Sequence, residues 1–258
     1  MNPPIFVFSG PWFGFIGLLA VVGLALYGVG RRLDESGRRK LLIGASCVNL
    51  GCFVLYMIGL LTQSEFPAYV VYNMPLQLCS LATFSLIPAI VLRVNWLRGL
   101  VYFIGCLAGF LALFSPASGI EGVGVLTPLS IGFFGSHGLN VVIGALIAAL
   151  GLYRPSYREA FKTLGAFGIL VAIMAMINLG VRTTVLAQAN YFYFFDPEGA
   201  QILVLLHNWV GLPVLYLLPV LPLVVGALVV QAALYRGGSR LATRLAARPG
   251  RAVSAKPA

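Results

Sequence analysis

Charge is scarce in this chain and is missing where it would matter most. Only 9% of its 258 residues are charged. The seven acidic residues (Asp34, Glu35, Glu65, Glu121, Glu159, Asp196 and Glu198) all fall between or at the ends of apolar stretches. A proton- or sodium-coupled transporter usually buries a carboxylate, so that class is excluded. Lysine occurs only as Lys40, Lys162 and Lys256, all in polar segments, which excludes a retinal Schiff base. Histidine is limited to His137 and His207, too few for a metal-dependent hydrolase of the multi-helix kind; neither a metal site nor a cofactor is expected. Cys47, Cys52, Cys79 and Cys106 show neither disulfide nor zinc-knuckle spacing. By default each is a small buried hydrophobe. There is no Gly-rich phosphate loop and no G-x-S-x-G elbow.

What is present is apolar. Hydrophobic residues make up 60% of the chain, and mean hydropathy is +0.95. Those values place the chain among polytopic membrane proteins. A crossing needs roughly 20 apolar residues, and the pattern predicts an all-α, seven-helix bundle with crossings near 10–30, 41–62, 73–92, 98–115, 128–152, 162–181 and 200–232. The last is too long for one straight span; Pro213, Pro219 and Pro222 should bend or divide it. The first does not read as a cleaved signal peptide, since it lacks a basic lead-in and ends in Arg31-Arg32. The expected organisation is one membrane domain over 1–236 and a basic, disordered tail over 237–258. Small residues Gly14, Gly17, Gly23 and Gly28 suit close packing within the bundle or between protomers.

The cations give orientation. Every lysine and arginine except Arg182 falls in the tail or in the loops after spans one, three and five. The positive-inside rule then puts the N-terminus outside and the C-terminus in the cytoplasm. That rule accounts for the net charge of +10 without a nucleic-acid partner; membrane lipids are the expected partners, and the tail suits anionic headgroups.

Uncharged polar residues inside the spans carry the functional information. With a rise of about 1.5 Å per residue, Cys79, His137, His207 and Asn208 all lie roughly 9–13 Å below the outer boundary, with Asn178 within about 5 Å of it. Gln77 is near Cys79. Unpaired polar groups in lipid cost several kcal/mol each, so these residues should face one another. Interhelical glue is the plain alternative for any one of them. The sharpest local feature is Asn73-Met-Pro-Leu-Gln-Leu-Cys79. Asn73 would cap a helix with Pro75 in its first turn, leaving Cys79 just over one turn from the positive end of the dipole. An imidazole at similar depth completes a nucleophile–base pair, Cys79 with His137. Gln77 or Asn208 would serve a developing oxyanion. Asn140 follows His137 by three residues and is placed to orient its ring. The outer segment 188–197, with Asn190 and Tyr191, reads as an aromatic belt or as a lid over a lipid entrance.

Four motifs resemble, in order, those of the YwaF-type integral membrane family: Pro75-Leu-Gln-Leu-Cys-Ser80, Phe134-Gly-Ser-His-Gly138, Tyr153-Arg-Pro-Ser-Tyr157 and Asn190-Tyr-Phe-Tyr-Phe194. This bacterial group is similar to a eukaryotic transmembrane acyltransferase of ether phospholipids. The resemblance spans about residues 70–235. It implies a lipid acyltransferase or lipid-ester hydrolase of the bacterial cytoplasmic membrane, with Cys79 as nucleophile and His137 as base. The chain departs from the pattern at Gln77, where histidine is frequent, and at Phe192, where methionine is frequent. Two alternatives stand beside this reading. One is a lipid-binding or transport protein using the same pocket without chemistry. The other is a haem b protein with His137 and His207 as axial ligands.

Overall fold

The computed structural model describes residues 2–62, 74–116 and 120–246. These residues are helical, with no strand; the only β feature among them is an isolated bridge between Pro4 and Gly124. The helices are α1 (Gly10–Gly30), α2 (Glu35–Leu61), α3 (Leu78–Val91), α4 (Asn95–Phe114), α5 (Pro128–Ala149), α6 (Tyr157–Thr184), α7 (Gln201–Val210) and α8 (Val220–Ala246). Six are long and apolar enough to cross a membrane: α1, α2, α4, α5, α6 and a 26-residue stretch, Leu215–Arg240, that contains most of α8. α3 and α7 are apolar but shorter.

Local sequence explains the helix starts. Ser9, Asp34, Thr127 and Ser156 each cap an N-terminus by accepting a backbone N–H, which satisfies a donor that the helix cannot. The long final apolar stretch does divide. α7 stops at Val210, Gly211 turns left-handed at φ 70°, and α8 starts at Val220. Pro213 and Pro219 lie in the break, where a missing N–H costs least. The tail begins later than expected: α8 continues to Ala246, because the Arg-, Leu- and Ala-rich stretch from 240 favours helix. Residues 247–258 lie outside the described residues.

α5 is the central post. Fifteen of its residues are buried, including Ser136, His137 and Asn140. α2 lies along it at backbone range: a Cβ on Gly59 would sit 2.5 Å from the Leu129 backbone. α4 closes in on the adjoining face, where a Cβ on Gly109 would lie 2.6 Å from the His137 carbonyl. Glycine is the side chain these approaches permit. By contrast Gly14, Gly17 and Gly28 have open space beside them, and only Gly23 of that set meets a neighbour, Val142. α1 is tied down at its start, where the buried Trp12 indole donates to the Leu113 carbonyl at 2.9 Å. Within α4, residues Leu100–Gly105 form a π-helical stretch. α8 docks there through two polar bridges: Tyr102 Oη donates to the Gln231 carbonyl and Gln231 Nε2 to the Phe103 carbonyl, each at 3.2 Å.

Candidate functional site

α3 begins later than its sequence suggests. Pro75 lies in a turn, the N-cap is Gln77, and Cys79 is the second helical residue. The expected cap, Asn73, lies outside the described residues. Gln77 makes no side-chain cap bond, because its amide is used elsewhere. Its Oε1 accepts from Phe192 N at 2.8 Å and its Nε2 donates to the Asn190 carbonyl at 3.3 Å. Cys79 therefore sits nearer to the positive helix end than one full turn would place it.

His137 stands on α5 against Phe133, with ring centroids 4.3 Å apart, and edge-on to Tyr56 at 6.0 Å. Its Nδ1 lies 2.8 Å from the Phe133 carbonyl and 3.4 Å from Ser136 Oγ. A carbonyl only accepts, so Nδ1 carries the proton and Nε2 keeps its lone pair. Among the described residues Nε2 has no hydrogen-bond partner. The ring is thus oriented by its own helix and not, as expected, by Asn140.

Asn140 links the two helices instead. Its Nδ2 donates to the Cys79 carbonyl at 3.1 Å, and its Oδ1 accepts from Asn49 Nδ2 at 2.7 Å. Thr83 Oγ1 lies 3.0 Å from Asn140 Nδ2 and 3.1 Å from the Cys79 carbonyl. Asn49, Thr83 and Asn140 are all buried. The backbone of Cys79 is therefore one hydrogen bond from a residue that follows His137 by a single helical turn. Asn49 and Thr83 were not legible as site residues, though each carried a signal. Asn49 is the lone amide of the second apolar stretch, and Thr83 follows Cys79 by one turn.

A second cluster fixes the outer loop. Asn178 Nδ2 donates to the Tyr191 carbonyl and its Oδ1 accepts from Tyr191 N, both at 2.8 Å. Asn190 Oδ1 accepts from Phe195 N at 2.8 Å, and its Nδ2 donates to Glu198 Oε1 at 2.8 Å. Phe192 and Tyr193 adopt left-handed backbone at φ 62° and 57°, a conformation costly for aromatic residues. Buried Tyr216 donates from its hydroxyl to the Tyr193 carbonyl, and Val214 N donates to the Phe194 carbonyl at 2.7 Å. Burial raises the pKa of the Tyr191 hydroxyl, which stays neutral.

The expected residues thus divide. The Cys79 carbonyl and Asn140 meet at the α3–α5 contact, with His137 one turn before Asn140 on α5, while Gln77, Asn178, Asn190 and Tyr191 build the 190–196 loop. α7 has no buried residue. There His207 is half-exposed, edge-on to Tyr216 at 5.0 Å, and Asn208 is exposed.

Long apolar helices around a half-buried thiol and a buried imidazole and amide set define an integral membrane protein with a polar site between its helices. The TMEM164 family model matches residues 7–228, and the chain belongs to the TMEM164 family. No curated protein and no solved structure matches it.

Proposed function

We propose that this chain is a membrane-embedded lipid acyltransferase or lipid-ester hydrolase, as the YwaF-type likeness of its motifs implies. The supporting observation is the arrangement around Asn140: a thiol on the first turn of α3 and an imidazole of fixed tautomer one turn away on α5. In the proposed step, His137 Nε2 takes the Cys79 proton and Sγ attacks the ester carbonyl. The ester C–O bond breaks, and the departing alkoxide takes the proton from the imidazolium. The acyl-thioester then passes to a lysolipid hydroxyl or to water, with His137 again as base. Little water inside the bundle favours transfer over hydrolysis. The 190–196 loop, held by Gln77 and Asn178, forms the rim over which a lipid enters. By the basic-loop pattern this end faces outward, with α3 as part of a seventh crossing.

Mass spectrometry of the protein incubated with a short-chain phospholipid tests this. An acyl mass released by hydroxylamine is expected on Cys79 and absent from Cys79→Ala. Lipid turnover by Cys79→Ala at the wild-type rate would end the proposal. Among the described residues no hydrogen bond joins the Cys79 thiol to His137, and this favours a second reading, a lipid-binding protein without chemistry. Catalytic contacts commonly close only when substrate is bound. A Cys79→Ser protein that binds lipid normally, with no adduct in the wild type, selects the second reading.

A further inference from the structure

The arginines that mark topology include two whose guanidinium groups are not free in solvent. Arg98, only 8% exposed, opens α4 at the end of the bundle away from Cys79. Its Nε donates to the Ala89 carbonyl at 3.1 Å and its Nη1 to the Leu152 carbonyl at 2.7 Å. Its Nη2 is buried and has no partner. Arg39, in the second turn of α2, pairs through one Nη with Glu35, and its Nε is likewise buried without a partner. Arg38 beside it is engaged, donating to the Gly30 carbonyl at 3.2 Å and to the Leu150 carbonyl at 3.0 Å.

These groups are neighbours. Arg38, next to Arg39, and Arg98 donate to the Leu150 and Leu152 carbonyls, two residues apart in the turn after α5, which brings the start of α2 towards the start of α4; Leu42 of α2 shares one buried apolar cluster with Ala89, Ile90 and Leu97. Arg39 and Arg93 lie within electrostatic reach of Arg98, with Glu35 as the carboxylate there. Three cations and one acid thus lie within range of one another, and that acid already holds Arg39. The carbonyl ends of helices offset part of the Arg98 charge without reaching the two orphaned nitrogens. Tyr153, from a motif the outer site does not use, adds a buried hydroxyl beside Leu152; with Thr163 it crowds one face of Gly99.

Buried like charges need a counter-charge, and a buried donor without an acceptor signals a missing ligand or ion. The two orphaned atoms, Arg39 Nε and Arg98 Nη2, are both donors. Planar guanidinium donors suit a tetrahedral oxyanion. We propose that this basic end binds a phosphate-class oxyanion through Arg39 Nε and Arg98 Nη2, supplied by the headgroup of an acidic phospholipid in the adjoining leaflet. Arg39 is the movable member: its partner Glu35 has a side chain 64% exposed, and the phosphate takes the place of that carboxylate. The site does not depend on the chemistry proposed for Cys79.

The test uses the full chain in phosphatidylcholine nanodiscs, with and without phosphatidic acid, read by native mass spectrometry. Retained phosphatidic acid is expected on the wild type and on Cys79→Ala. Apparent affinity should fall about tenfold or more in Arg98→Gln, since one charge-assisted hydrogen bond is worth about that factor. Arg98 also caps chain ends, so Arg39→Gln, which leaves those caps intact, is the second variant and should show the same loss. In a second arm, inorganic phosphate is added to phosphatidylcholine nanodiscs and thermal unfolding is followed. A rise in unfolding temperature that both arginine variants lose supports the oxyanion site and assigns it a soluble source. No preference for phosphatidic acid and no phosphate effect, or equal binding in the wild type and Arg39→Gln, overturns the proposal.

Discussion

At the scale of single residues, the site is defined by which polar atoms are already engaged. His137 donates Nδ1–H to the Phe133 carbonyl, so its remaining nitrogen is the one that can act as a base. Asn140 is fully used: it serves Cys79, Asn49 and Thr83 at once. Replacing Asn140 with Ala strands the Asn49 amide in the interior. Leaving a buried donor unsatisfied costs about 1–3 kcal/mol. Chemical denaturation in detergent should show a loss of that size, and Asn49→Leu in the Asn140→Ala background should restore part of it. If the double variant is no more stable than the single one, the amide pair is not the unit described. Gln77 has a different role. Gln77→Ala removes both bonds to the 190–192 backbone while leaving the α5 network untouched. Faster proteolysis within residues 190–199, with unfolding in denaturant little changed, is the expected result.

At the scale of elements, helix contacts are set by what each glycine faces. On α5, a Cβ at Gly132 would meet the Tyr56 backbone of α2, whereas a Cβ at Gly165 of α6 would meet nothing within 4 Å. Gly132→Ala should therefore force the two helices apart, and overpacking of this kind costs typically about 1–3 kcal/mol. Gly165→Ala should be neutral or stabilising by up to about 1 kcal/mol, as helix propensity predicts. Thermal unfolding of the two variants side by side checks the contrast; equal effects would show that the α2–α5 contact is looser than described. Hydropathy put the starts of α1 and α5 at residues 10 and 128, where they are, but set those of α2 and α6 at 41 and 162, inside the polar first turns that Asp34 and Ser156 cap. The start of α3 was not legible. Its N-terminal amide, Gln77, is bound by a loop more than 110 residues further along, and no local rule anticipates a partner at that distance.

At the scale of the whole molecule, the chain has two chemically different ends. One carries Cys79, bonded through its carbonyl to Asn140, and the aromatic loop held by Gln77, and the other gathers arginine. In the orientation proposed from the basic loops, the arginine end faces the cytoplasm. Reporter fusions should give alkaline phosphatase activity at the N-terminus and green fluorescence at the C-terminus; the reverse assignment would put the Cys79 pocket at the inner leaflet and require a different lipid supply. The helical class follows directly from composition and hydropathy, whereas hydropathy predicts seven crossings and six helices among the described residues are long and apolar enough to cross, since α3 has only 14 residues. The division of the last apolar stretch at its prolines was legible as well.

What the sequence determined by itself is the solvent this protein lives in, its helical class, and the short set of polar residues able to carry chemistry. These depend on residue type and on spacing along the chain, which transfer free energies and helix geometry convert directly into structure. What only the tertiary structure decided is the partnering: that Asn140 holds the Cys79 carbonyl and not the His137 ring, that Asn49 and Thr83 join it, and that His207 and Asn208 stand apart on α7. A helix presents its side chains around a full circle, and hydropathy fixes depth without fixing rotation. The facing residues are settled by backbone contacts such as Gly59 with Leu129 and Gly109 with His137, and these exist only once the helices have packed.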